Sequence, residues 1–154
     1  MSPLDWAFLP LQRYVQFNGR SPRAEYWWFW LFQAFVSLAT MLIDTVMGLG
    51  GPGSPISTNM ILGLALFLPT LAVTVRRLHD VNRSGWVFPG YILLLTAIIA
   101  AGAALTLILG TFGIILMFLG VAAVGVKFTI LMASEGSRGE NSYGPNPYGL
   151  TYGY

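Results

Sequence analysis

The chain has 154 residues, 55% of them hydrophobic and 9% charged, with a formal net charge of +2 and a positive mean hydropathy of +0.66. Soluble domains carry roughly 25% charged residues, so a water-soluble packing is excluded and a bilayer is the natural solvent. The absence of cysteine removes disulfides, thiolate metal sites and cysteine nucleophiles, and without a basic arm or long Lys/Arg tract nucleic acid is a poor partner.

Residues 1–26 mix apolar and polar side chains, with Pro10 as an interruption. After Pro10, the spacing of Leu11, Tyr14 and Val15 suits one helix face, which predicts a short helix lying in the membrane interface. No cleavable signal peptide is read here, because the apolar run begins only near Trp27 and no small-residue cleavage pattern follows it. Ser21 and Pro22 suit an N-cap and first helical position. The first span is then 27–49, with Tyr26, Trp27, Trp28 and Trp30 as an aromatic belt.

A breaker-rich turn without charge follows from Gly50, and a second span covers 59–75. Pro69 inside it leaves a backbone carbonyl unbonded and should kink it. A polar loop runs from Arg76 to Trp86. The next 48 residues hold one charge, too many for a single crossing of a hydrocarbon core about 30 Å thick. The sequence Gly110-Thr-Phe-Gly is the natural break, giving spans 87–109 and 113–133 and a polar tail, 134–154.

Seven of the eight Lys/Arg residues lie outside these spans, in the N-terminal segment, the 76–86 loop and the tail. The outer loops near Gly50 and Gly110 carry none. Cytoplasmic loops hold the Lys/Arg excess, so both termini are expected on the cytoplasmic side. The expected fold is an all-α integral membrane protein: one domain, a small bundle of about four transmembrane helices with an N-terminal interfacial helix. Small residues recur at Ala97/Ala101, Ala100/Ala104, Gly113, Gly120 and Gly125. They suit either packing within the chain or a dimer interface.

Two ionisable residues fall inside spans. Asp44 lies roughly 25 Å from the inner face and Lys127 roughly 9 Å from it, by the helical rise, so they should not pair. Each can snorkel to its nearer interface, and an ion pathway is the alternative. The polar inner segments are denser in chemistry. Arg20, Arg23 and Glu25 stand at the mouth of the first span; Arg76, Arg77, His79, Asp80, Arg83, Ser84 and Trp86 share one loop. These suit a structural network in which Glu25 and Asp80 hold arginines, or a surface for anionic lipid headgroups or a partner protein. Ser84, His79 and Asp80 can be written as a triad, but neighbours in sequence seldom converge and no nucleophile elbow surrounds Ser84. One histidine without cysteine is thin for a metal. Neither catalytic residues nor a cofactor are assigned.

The tail would ordinarily be disordered, yet Tyr143 and Tyr148 give it aromatic anchors. Tyr143 is expected to stack on a guanidinium of the 76–83 loop, Asn141 to bond exposed helix-end carbonyls, and Gly144 to supply a positive φ before Pro145.

Three of these segments carry a resemblance. Residues 17–27 (FNGRSPRAEYW), 71–86 (LAVTVRRLHDVNRSGW) and 136–147 (GSRGENSYGPNP) resemble, in order, the motifs of the small bacterial inner-membrane proteins of the YhaH/YhaI type, domain-of-unknown-function family 805. The chain differs in having Arg138 and Asn146 where a proline and an aspartate are usual, and a longer apolar stretch after Trp86. The resemblance implies an integral protein of the bacterial cytoplasmic membrane and no particular activity. The function expected is that of a non-enzymatic membrane component, possible homo-oligomer included. A small oligomeric channel or transporter is the alternative, and an enzyme on lipid headgroups the third.

Overall fold

In the computed structural model, which describes residues 1–51, 54 and 56–147, the chain forms five helices. They are α1 (Pro3–Gln12), α2 (Arg23–Met47), α3 (Thr58–Asp80), α4 (Val87–Leu109) and α5 (Thr111–Ala133). The last four are long and apolar enough to cross a membrane; 23 residues reach about 35 Å. Tyr148 lies outside the described residues.

The first helix forms earlier than its hydrophobic spacing suggested. Ser2 caps it, accepting from the Asp5 amide at 3.2 Å while the Asp5 carboxylate accepts from the Ser2 amide at 2.6 Å. With Pro3 at the first position this is a complete capping box. Pro10 falls in the last turn, where it ends the helix two residues on instead of preceding it. Phe8 packs its ring 5.2 Å from Phe32 of α2. Ser21 is not a cap either: Pro22 takes that position and α2 starts at Arg23.

The kink residue of α3 has a partner. Pro69 has no N–H to give the Ala65 carbonyl four residues back, and the Tyr14 hydroxyl donates to that carbonyl instead. At its C-terminus α3 runs five residues beyond the expected end. Arg76, Arg77, His79 and Asp80 therefore lie on its last turns and not in a loop. Polarity ended the apolar window, but the helix continues because neighbouring segments neutralise those side chains.

At the opposite end Asp44 has partners within the chain. Its carboxylate accepts from the amides of Thr58 at 2.8 Å and Asn59 at 3.0 Å, and the residue is buried. Those are orphan N–H groups of the first turn of α3, where a carboxylate also meets the positive end of the helix dipole. Asn59 in turn donates to Thr40 Oγ1 and the Ser37 carbonyl, tying α3 to α2.

Gly110, at φ +57°, breaks α4 from α5 alone, so α5 begins at Thr111. The two helices form a tight hairpin: a Cβ on Gly113 would stand 2.6 Å from the Thr106 backbone nitrogen, and one on Gly102 would strike Met117. Gly113 and Gly120 thus pack within the chain, whereas Gly125 and the alanines 97, 100, 101 and 104 face outward. Buried residues gather at one end, where α3 and α5 finish and α2 and α4 begin. This is the basic end.

Candidate functional site: a buried arginine network

Helix ends leave four carbonyls without intrahelical partners, and at the basic end two helices finish side by side. The chain satisfies those groups with arginines and with its own polar segments. Arg77, completely buried on α3, donates through Nε to the Met132 carbonyl at 2.9 Å and through Nη2 to the Ser134 carbonyl. It thereby caps α5. Arg23 adds a bond to the Ala133 carbonyl at 3.3 Å and stands 3.9 Å from Glu135.

The end of α3 is closed from two sides. From the N-terminal segment, the Ser21 amide donates to the Arg76 carbonyl at 3.0 Å. From the tail, the Ser137 amide reaches the Asp80 carbonyl at 2.9 Å and the Asn141 side-chain amide reaches the His79 carbonyl, also at 2.9 Å.

Two carboxylates organise the cations. Asp80 receives Arg20 Nε at 3.0 Å and Nη2 at 2.9 Å on one oxygen, and Arg77 on the other. Glu25 receives Arg76 Nη2 at 2.6 Å, with Arg13 3.7 Å from its second oxygen. Both carboxylates are sealed from solvent at 0–1% exposure, as are Arg76 and Arg77. Charges so placed survive only because each guanidinium meets a carboxylate on one side and backbone carbonyls on the other. Arg76 bonds the carbonyls of Gln16 and Arg13, while Arg20 bonds those of Ser137, Gly139 and Gly144 at 2.5, 2.7 and 3.3 Å.

The tail folds to present those carbonyls. Gly144, at φ +127°, closes a reciprocal backbone pair with Asn141, and the Asn141 side chain accepts from the Tyr143 amide. Tyr143 stacks on the His79 ring, 3.9 Å between centroids and 4° from parallel, not on a guanidinium as expected. Gly136 is needed where it stands, since any Cβ there would strike the Asp80 carboxylate.

Sequence reasoning did not find Gly136, Ser137, Gly139 or the Gly19 carbonyl, which faces His79 Nδ1 at 3.1 Å. These act through backbone atoms, so residue type carries little signal beyond an abundance of glycine.

The arrangement leaves little for acid–base chemistry. Asp80 is engaged by two arginines, His79 Nδ1 faces a carbonyl, and Ser84 Oγ accepts from the Trp86 amide at 3.3 Å. These three side chains do not form a relay. Among the described residues no three His, Cys, Asp or Glu side chains gather to hold a metal. Arg83, Trp86 and Lys127 point outward, and nothing brings Lys127 to Asp44.

Residues 14–145 match the model of a family described as "Protein of unknown function (DUF805)". The chain belongs to that family. It is similar to inner membrane protein YhaI of Escherichia coli (strain K12), 43% identical over 82 residues that are 53% of this chain and 66%, just under two thirds, of that one. Inner membrane protein YhaH of the same organism is 40% identical over 83 residues, 54% of this chain and 69% of that one. No solved structure matches the chain. The match runs from Tyr14 to Pro145, so it takes in every member of the arginine network except Arg13. The DUF805 chain is thus an all-α membrane protein related to inner membrane proteins.

Proposed function

We propose that the protein is a non-enzymatic component of the bacterial cytoplasmic membrane whose basic end faces the cytoplasm and binds anionic lipid. The observation carrying this reading is how charge is divided at that end. Three arginines are buried and consumed by internal partners, while Arg13, Arg23, Arg83, Arg138 and Lys127 remain wholly or partly exposed. Against them stand few exposed carboxylates, Glu135 and Glu140 among them. A leaflet rich in anionic headgroups attracts such a surface by about 1 kcal/mol per cation. The buried network supports the surface by fixing the helix ends that carry it.

Orientation has its own test. A reporter fused after Arg83 is expected on the cytoplasmic side and one after Thr111 on the periplasmic side; the reverse would turn the basic surface away from the anionic leaflet. Lipid binding is tested by extracting the protein in mild detergent and analysing the lipid that comes with it. Enrichment of anionic over zwitterionic phospholipid, relative to the source membrane, is the expected result. Co-extracted lipid with the bulk composition would contradict the reading.

A further inference from the structure

We propose that a groove between the start of α4 and the end of α5 holds one anionic glycerophospholipid, its phosphate between Arg83 and Lys127. This deepens the lipid-binding reading above and rests on it. The groove, about 400 Å³, is lined by the cations Arg83 and Lys127 together with the apolar Val87, Ile130 and Leu131. Neither cation has a hydrogen bond or ion pair among the described residues, in contrast to the arginines of the network.

Lys127 lies six residues before the end of α5, roughly 9 Å along the helix. An ammonium at that depth reaches outward toward the headgroup layer, and Lys127 lines the groove together with Arg83. Tyr91, which also lines the groove, packs against the Phe128 ring 4.9 Å away, and its hydroxyl has no hydrogen bond among the described residues. Trp86, 81% exposed at the start of α4, suits the same headgroup layer. Two cations in one groove with apolar side chains complement a phosphodiester joined to an acyl chain.

The lining also selects among headgroups. No carboxylate lines the groove, so the ammonium of a zwitterionic phospholipid has no counter-charge there and meets two cations instead. A phosphatidylglycerol-type headgroup, carrying hydroxyls and one net negative charge, avoids that repulsion.

Native mass spectrometry of the full chain in mild detergent, titrated with phosphatidylglycerol or with phosphatidylethanolamine of the same acyl chains, tests this. The wild type is expected to retain one phosphatidylglycerol in preference to phosphatidylethanolamine. Arg83→Gln with Lys127→Gln should lower that retention on the order of ten-fold or more. Arg138→Gln, which removes an exposed cation of the same surface that does not line the groove, should lower it several-fold less than the double variant does. If the double variant keeps the wild-type preference, the groove is not the site although the broader reading stands. If the wild type itself shows no preference, both fall. Inorganic phosphate displacing the lipid at equal concentration would overturn the role of the apolar lining.

Discussion

Asp80→Ala is expected to destabilise the protein by about 3–5 kcal/mol, the range for removing one partner of a buried charge pair. The carboxylate is 1% exposed and holds Arg20 and Arg77, which are buried themselves. Its loss leaves two guanidiniums bonded only to backbone carbonyls and without a counter-charge. It also frees the space beside Gly136 that holds the tail in register. Glu140→Ala, at an exposed tail position, should stay within about 0.5 kcal/mol of wild type. Unfolding both variants in the same detergent makes the comparison. Equal stability would mean that water, not protein, surrounds the Asp80 carboxylate.

Tyr14→Phe should cost about 1–3 kcal/mol, the cost of leaving a polar group without its partner away from water. The acceptor is the Ala65 carbonyl that Pro69 cannot serve. The prediction carries its own control. Pro69→Ala restores an N–H four residues after Ala65, so in that background Tyr14→Phe should lose most of its effect. A cost that is the same in both backgrounds would show that the phenol contributes by packing alone.

Much of the fold was legible because a bilayer imposes simple demands on sequence. Spans three and four follow from the length of the apolar run and the Gly110-Thr-Phe-Gly break within it, which the structure narrows to Gly110. Helix ends were harder. Arg76 to Asp80 read as loop because charge stops an apolar window, yet α3 carries them on, since Glu25, the N-terminal segment and the tail supply partners from at least 51 residues away. Asp44 read as an isolated intramembrane charge for the same reason. Its partners are backbone amides of the next helix, and amides have no signature in sequence. The capping box at Ser2 and Asp5 went unread, and the hydrophobic pattern after Pro10 drew the helix too late.

Within the site, residue types gave the members and the expectation that Glu25 and Asp80 hold arginines, and the structure gave which arginine each carboxylate holds. Tyr143 illustrates the limit: an aromatic near many arginines suggests a cation–π contact, but the ring stacks on His79, while Arg20 directs its N–H groups to the tail carbonyls. The two departures from the family pattern also meet, the Asn146 side-chain amide donating to the Arg138 carbonyl at 2.6 Å.

The central claim is that the tail is a fixed part of the basic end, held by the buried arginines. Amide hydrogen exchange over residues 136–146 of the full chain in detergent tests it most directly. The amides of Ser137, Asn141, Tyr143 and Gly144 each have a protein acceptor and should exchange about 100-fold or more slower than in a free peptide. Asp80→Ala should return them toward the free-peptide rate. Exchange in the wild type already as fast as in the free peptide would contradict the account.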